Sequence, residues 1–396
     1  MGSIMNKFLL GTTALISAAA FTAPAIAAEK IQLELRGYHV GGVSITNGEY
    51  DFRTTDVTHG GLVDSGRGID NHNDLQWGSD SEVHFRGSTT LDNGLKMSFR
   101  AELELEDDDD VDGDADNIDE VYIDFIGGFG TVEFGQNDGV MFQQHIAAPN
   151  TFIGHGPNQA DIDMNPFGSL GDTPFLGGEL DGSNPINTYG NFSNDHIKLT
   201  YLTPNMEGFQ VGASFTPNNC KNDTGYTGCA FEDFGRNFWE VAGSFNTNLD
   251  NIRLGISMGY GQGESGDADD EPMEWSVGGE IGFGGVTIGG SYRDANLSGN
   301  STRDETHWDV GVEYDTGPWG FSATYGSADA DWFDGETRDA EAQSFTAGAS
   351  YMYGPGMQIG LGVSLLDKTE RMYDGHYLDT EGFEGTSFFI ENAMRF

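Results

Sequence analysis

From Ile31 onward, apolar and polar residues alternate with a period of two along almost the whole chain. Ile31, Leu33 and Leu35 alternate with Gln32, Glu34 and Arg36, and Val83 and Phe85 with Glu82, His84 and Arg86. Leu95, Met97, Phe99, Leu103 and Leu105 are interleaved with Lys96, Ser98, Arg100, Glu102 and Glu104, and Ile197, Leu199 and Tyr201 with His196, Lys198 and Thr200. The same spacing recurs in 252–260, 273–283, 308–314 and 357–365. Successive strand side chains point to opposite faces, so each segment predicts a strand that is apolar on one face and wet on the other. The last stretch sets Phe388, Ile390, Met394 and Phe396 against Glu391 and Arg395, with Asn392 a misfit on the apolar side. An aromatic carboxy end on such a strand suits the closing strand of a membrane barrel; the alternative is an amphipathic strand in a soluble sheet.

Counting these segments predicts about sixteen strands, each near the length of roughly 9–11 residues that crosses a bilayer when tilted. An even number returns the chain to the side where it began, so first and last strands can pair and leave no backbone edge in lipid. Short turns at 92–94, 127–130, 204–208, 247–251, 284–285, 315–318 and 354–356 use residues that accept tight-turn dihedrals. Between them the sequence predicts long polar loops at 46–78, 107–117, 137–193, 217–235, 263–272, 294–303, 328–340 and 367–384. Short turns at one end and long loops at the other is the outer-membrane arrangement, with the long loops outside the cell. Tyr201, Trp239, Tyr260, Tyr292, Trp308, Tyr314, Tyr325, Tyr351 and Tyr353 stand near strand ends on the apolar face, where rings suit the headgroup level. The expected fold is therefore all-β, a transmembrane antiparallel β-barrel.

Composition agrees: 59 Gly, 27 Phe and 14 Tyr with a hydrophobic fraction of only 37% suit many short half-wet strands. Lys7, the apolar run 8–21 and Ala25-Ile26-Ala27 have the form of an export signal with its cleavage site, which predicts a leader at 1–27 and a barrel over 28–396. No later stretch approaches the roughly 20 apolar residues of a spanning helix. Cys220 and Cys229 fall in a polar stretch between strands; after export they form either one small loop disulfide or two free thiols. Acids number 64 against 18 Lys and Arg, for a formal charge of -46. That charge excludes nucleic acid as a partner and leaves two readings, a path for cations or loops solvated in a salty habitat.

The chain resembles the Gram-negative general diffusion porins, trimeric barrels of sixteen strands. The run Val121-Tyr122-Ile123-Asp124-Phe125, the glycines and phenylalanine of 127–130, and Thr131-Val132-Glu133-Phe134-Gly135-Gln136 carry the likeness. So do Asn194-Asp195-His196-Ile197-Lys198-Leu199-Thr200-Tyr201-Leu202-Thr203-Pro204, Gly208-Phe209 and the terminal Phe396, ordered around one very long third loop. The resemblance implies a homotrimer in the outer membrane, in contact with lipid and lipopolysaccharide, and a barrel-assembly machinery that reads Phe396. It also implies that the third loop, here 137–193, folds into the barrel as a constriction, presenting Asp161, Asp163, Asp172 and Glu179. Opposite would stand a basic wall of Arg36, Arg86, Lys96 and Arg100, inward by strand parity. Pairing of these bases with Glu34, Glu102 and Glu104 on the same face is the alternative, and the wall is less basic than the family's usual one. The expected function is passive diffusion of small hydrophilic solutes with a preference for cations; a solute-specific channel, for sugars for example, or an adhesion or structural barrel with acidic loops are the alternatives.

One local motif stands outside that picture. Asp108, Asp110, Asp112, Gly113, Asp114 and Asp116 have the spacing of a calcium loop, with Asp119 where a bidentate Glu normally sits, although the flanking helices are missing. A solvated acidic loop is the competing reading, so calcium is a possible ligand and no cofactor is required. The histidines His84, His145, His155 and His196 accompany no serine in a nucleophile-elbow setting, so the chain is expected not to be an enzyme.

Overall fold

The computed structural model describes residues 30–56, 63–105, 118–157, 164, 186–190, 193, 195–218, 236–264, 271–296, 302–333, 337–373 and 377–396. They form sixteen strands: β1 (Gln32–Asp56), β2 (Val63–Thr90), β3 (Lys96–Glu104), β4 (Ile118–Gly127), β5 (Gly130–Gln136), β6 (Ile197–Leu202), β7 (Phe209–Asn218), β8 (Arg236–Leu249), β9 (Ile252–Glu264), β10 (Met273–Phe283), β11 (Val286–Asn296), β12 (Thr302–Thr316), β13 (Trp319–Phe333), β14 (Thr337–Gly354), β15 (Met357–Tyr373) and β16 (Tyr377–Arg395). Each is antiparallel to its neighbours, and β1 pairs with β16 to close a barrel. A short helix, α1 (Val140–Gln143), follows β5. Both the strand number and the closure match the period-two reading.

Closure is completed by the last residue. Gly37 N–H donates to Phe396 O at 3.0 Å and Phe396 N–H donates to Gly37 O at 3.0 Å. From there the β1–β16 ladder continues unbroken from Tyr38 opposite Arg395 to Asp56 opposite Tyr377. An unpaired backbone group in hydrocarbon costs several kcal/mol, about as much as a whole side chain's burial contributes.

The two faces of the strands separate as the alternation predicts. Outward positions are apolar and exposed, among them Leu33, Leu35, Phe85, Leu199, Met258, Ile288, Leu361, Phe388 and Ile390. Inward positions are polar and buried, among them Ser44, Glu82, Glu102, Thr200, Ser276, Asp309, Thr346 and Glu391. The apolar band is bounded by aromatic pairs formed across neighbouring strands. Trp239 meets Tyr260 at 5.4 Å, Trp275 meets Tyr292 at 5.1 Å and Trp308 meets Tyr325 at 5.3 Å; nearer the tight turns, Trp319 meets Tyr351 at 4.6 Å. Trp308 and Tyr314, both on β12, are separated by roughly 20 Å of strand, close to the height of an outer-membrane apolar band. The misfit Asn392 is accommodated at this level, where its Nδ2 donates to Tyr353 Oη at 3.0 Å.

Connections at one end are tight, with Gly284 (φ 58°) and Gly317 (φ 59°) in the left-handed region that side chains avoid. At the other end the expected loops are shorter than their sequence suggests. β1 and β2 extend through most of 46–78, β13 and β14 through most of 328–340, and β15 and β16 through most of 367–384. Above the bilayer both faces of a strand are wet, so the apolar alternation disappears while backbone pairing continues. Sequence periodicity stops at the membrane boundary and the ladder does not.

Removal of Phe396 deletes both hydrogen bonds at the seam, so a chain ending at Arg395 is expected to reach the folded state in markedly lower yield. The difference in gel mobility between boiled and unboiled membranes measures that yield, and an undiminished folded fraction would contradict the closing role.

Candidate functional site

Residues 138–155 of the segment after β5 lie against one part of the polar inward face, and another part lines an open cavity. Backbone of these residues has no sheet partner, and several of its amides are satisfied by inward side chains of the strands. Asp138 N–H donates to Glu120 Oε1 (3.0 Å), Met141 N–H to Glu240 Oε2 (3.3 Å) and Ile146 N–H to Ser257 Oγ (3.0 Å). Ala148 N–H reaches Asp309 Oδ1 (3.1 Å) and Thr151 N–H reaches Ser322 Oγ (3.1 Å). Lys198 Nζ donates to Asn137 O at the segment's root. Gly278 on β10 gives this backbone room, because a Cβ there would lie 1.8 Å from Ile146 O.

The firmest attachment is on β16. Glu391, fully buried, accepts from Ile153 N–H (2.9 Å) and Gly154 N–H (3.1 Å), and its Oε2 lies 2.8 Å from His155 Nδ1. The His155 ring stacks on Phe389 with centroids 3.8 Å apart, and Phe152 packs edge-on against the same ring. A second histidine, His145, sits against Tyr189 and 3.2 Å from Thr188 Oγ1. Burial, with the Arg293 guanidinium as the lesser cause, pushes its pKa down to about 4, so His145 is neutral at neutral pH.

The open region is a cavity of about 660 Å³ between β1–β5 and the start of this segment. Arg36, Arg86 and Arg100 line it together with Arg395, as do Glu82, Glu102, Asp119, Glu120, Glu133 and Asp138. Strand register stacks these charges: Arg36 is opposite His84 across β1 and β2, and Arg86 is opposite Arg100 across β2 and β3. A register shift near Ala101 and Leu103 lets Asp119 join Glu120 at the cavity wall. Arg36 pairs with Glu34 Oε1 at 2.8 Å, and Arg100 pairs with Glu102 and donates to Tyr122 Oη at 3.0 Å. Among the described residues Arg86 forms no ion pair, and its buried Nε has no hydrogen-bond partner.

Of the residues picked out by sequence, Arg36, Arg86 and Arg100 are thus brought together, whereas Lys96 stands at the beginning of β3 and does not line the cavity. Asp119 lies on β4 in the cavity wall. Asp161, Asp163, Asp172 and Glu179 lie outside the described residues, as do Asp108, Asp110, Asp112 and Asp114, the cysteines Cys220 and Cys229, and the leader 1–27. Sequence reasoning did not single out the lumen acids Glu120, Glu240 and Glu391, which accept backbone N–H groups, Glu133, which accepts from the Asn137 and Gln143 amides, or Glu82, which faces His84. Inward parity marks each of them; the partners of Glu240 and Glu391 come from the segment after β5, far away in sequence.

The chain matches the Gram-negative porin family over residues 12–370. No curated protein matches it in sequence. Among solved structures it is similar to OmpT, an outer membrane protein of Vibrio cholerae in its trimer form, at 13% identity and a TM-score of 0.56, covering 93% of this chain and 100% of that one. It is also similar to the outer membrane channel DcaP of Acinetobacter baumannii, at 14% identity and a TM-score of 0.51, covering 92% and 99%.

Hydrogen bonds to a charged group contribute about 1.5–3 kcal/mol each, so Glu391 is the anchor whose loss is felt most. Glu391→Ala is expected to leave the barrel folded and to expose the segment around Phe142 and Phe152 to chymotrypsin. Cleavage rates of folded variant and parent measure this; equal resistance would mean that the other anchors suffice.

Proposed function

Since the chain belongs to the Gram-negative porin family, whose members are outer-membrane diffusion channels and not enzymes, we propose that it passes small hydrophilic solutes with a preference for cations through the cavity beside β1–β5. One observation carries this reading: six carboxylate residues line that cavity against four arginines, and two of the arginines already hold a glutamate. The formal charge of -46 adds a negative field at longer range. The segment 137–193 is the constriction in this reading, supported by the side-chain acceptors that hold its described amides along the inward face. Asp161, Asp163, Asp172 and Glu179 would add carboxylates to it. Assembly as a homotrimer is supported by the family likeness and by the similar trimeric OmpT. Export by the leader 1–27, with reading of Phe396 by the assembly machinery, completes the proposal.

Charge focusing depends on ionic strength, because screening sets in beyond about 10 Å at 0.1 M salt and about 3 Å at 1 M. Reversal potentials across planar bilayers in a potassium chloride gradient are expected to have the cation sign, and to shrink as both sides approach 1 M. Converting Asp119 and Glu120 together to Asn and Gln is expected to move the potential toward zero at low salt. An anion-signed potential at low salt would overturn the preference, and a folded barrel without conductance would point to the adhesion or structural alternative.

A further inference from the structure

Glu82, His84 and Glu102 bring one imidazole nitrogen and two carboxylate oxygens within 4.8 Å of one another. His84 faces Glu102 directly across β2 and β3, and Glu82 is the preceding inward residue on β2, so strand register holds all three donors. His84 Nε2 lies 2.7 Å from Glu82 Oε2 and Nδ1 lies 2.9 Å from Glu102 Oε1. The carboxylates are 5% and 4% exposed, yet the group opens on the 660 Å³ cavity, where water can fill remaining coordination positions.

We propose that this group is a binding site for a divalent transition-metal cation of the zinc type, set in the wall of the pore. A mixed set of one imidazole and two carboxylates suits zinc, copper or nickel, whereas calcium and magnesium favour oxygen alone. Zinc holds such donors at about 2.0–2.2 Å, so neighbouring ligands sit roughly 3.4 Å apart, and closing the site takes one carboxylate from its own ring nitrogen to the metal on the other. An outer shell is already in place. Arg100 orients Glu102, and the Tyr38 ring packs edge-on to His84 at 6.2 Å while its hydroxyl donates to Asp80 Oδ1 at 2.9 Å. Arg86 and Arg100 face the group and repel the ion, which the two carboxylates of the site itself have to outweigh. In the structure each carboxylate engages one ring nitrogen; the metal replaces that exchange and takes one of the nitrogens.

Isothermal titration of the untagged, folded protein in detergent with zinc chloride tests the site directly. One saturable site per chain is expected, weakened by His84→Ala by more than the roughly 10–100-fold that loss of an outer-shell partner costs, and retained by His39→Ala, whose exposed ring contacts Ser81 instead. An X-ray absorption spectrum of the zinc-loaded parent should contain one imidazole ligand among oxygen neighbours, a result that needs no variant to fold. Absence of saturable binding, equal affinity after His84→Ala, or a spectrum without imidazole overturns the proposal. Zinc is also expected to lower conductance of the parent and not of His84→Ala, an effect that rests on the cavity being the conducting route. Binding without that block upholds the site and counts against the route; absence of binding with a cation-signed, zinc-free reversal potential overturns the site alone.

Discussion

Every backbone amide and carbonyl at bilayer depth has to find a partner within the chain, and the rest of this structure follows from that constraint. It requires a closed sheet, hence an even run of strands, hence a last strand that pairs with the first. Gly37 and Phe396 make that contact with two reciprocal amide bonds. Once the ladder is closed, side chains are free to differ completely between its faces. Lipid selects Leu, Ile, Phe and Trp outside, and the lumen admits Glu, Arg, Ser and Thr inside.

The same requirement acts on the long segment after β5, where no strand lies alongside to serve as partner. Inward carboxylates and hydroxyls take over, so Glu120, Glu240, Ser257, Asp309, Ser322 and Glu391 each accept backbone N–H groups of this segment. The acidity of the chain is therefore partly structural. Glutamates that would look like pore charges on a parity diagram are bound to peptide groups on the β8–β16 side, and the carboxylates lining the open cavity concentrate beside β1–β5.

There groups of opposite sign lie a few ångströms apart, two residues along one strand or across to the next. Arg100 is shared by Glu102 and Tyr122, Arg36 leans on Glu34, and His84 spans Glu82 and Glu102. Such mutual pairing lowers the field of each base more than that of the acids, because the acids outnumber them. It also gathers nitrogen and oxygen donors into one wall.

The period-two alternation is a local property, readable from a handful of consecutive residues. It was enough to determine the strand count, which face of each strand meets lipid, the end that carries tight turns and the inward orientation of Arg36, Arg86 and Arg100. The acidity of the chain was legible directly from its composition. Strand length above the bilayer was not, since wet faces on both sides erase the alternation while the ladder persists. Nor was the pairing inside the lumen. His155 and Glu391 are 236 residues apart, and Ala148 and Asp309 are 161 apart. Such partners are chosen by barrel curvature and by the path of one segment across the interior. Parity says that a residue faces inward; only the closed barrel decides what it meets there, because that depends on where fifteen other strands have placed their own side chains.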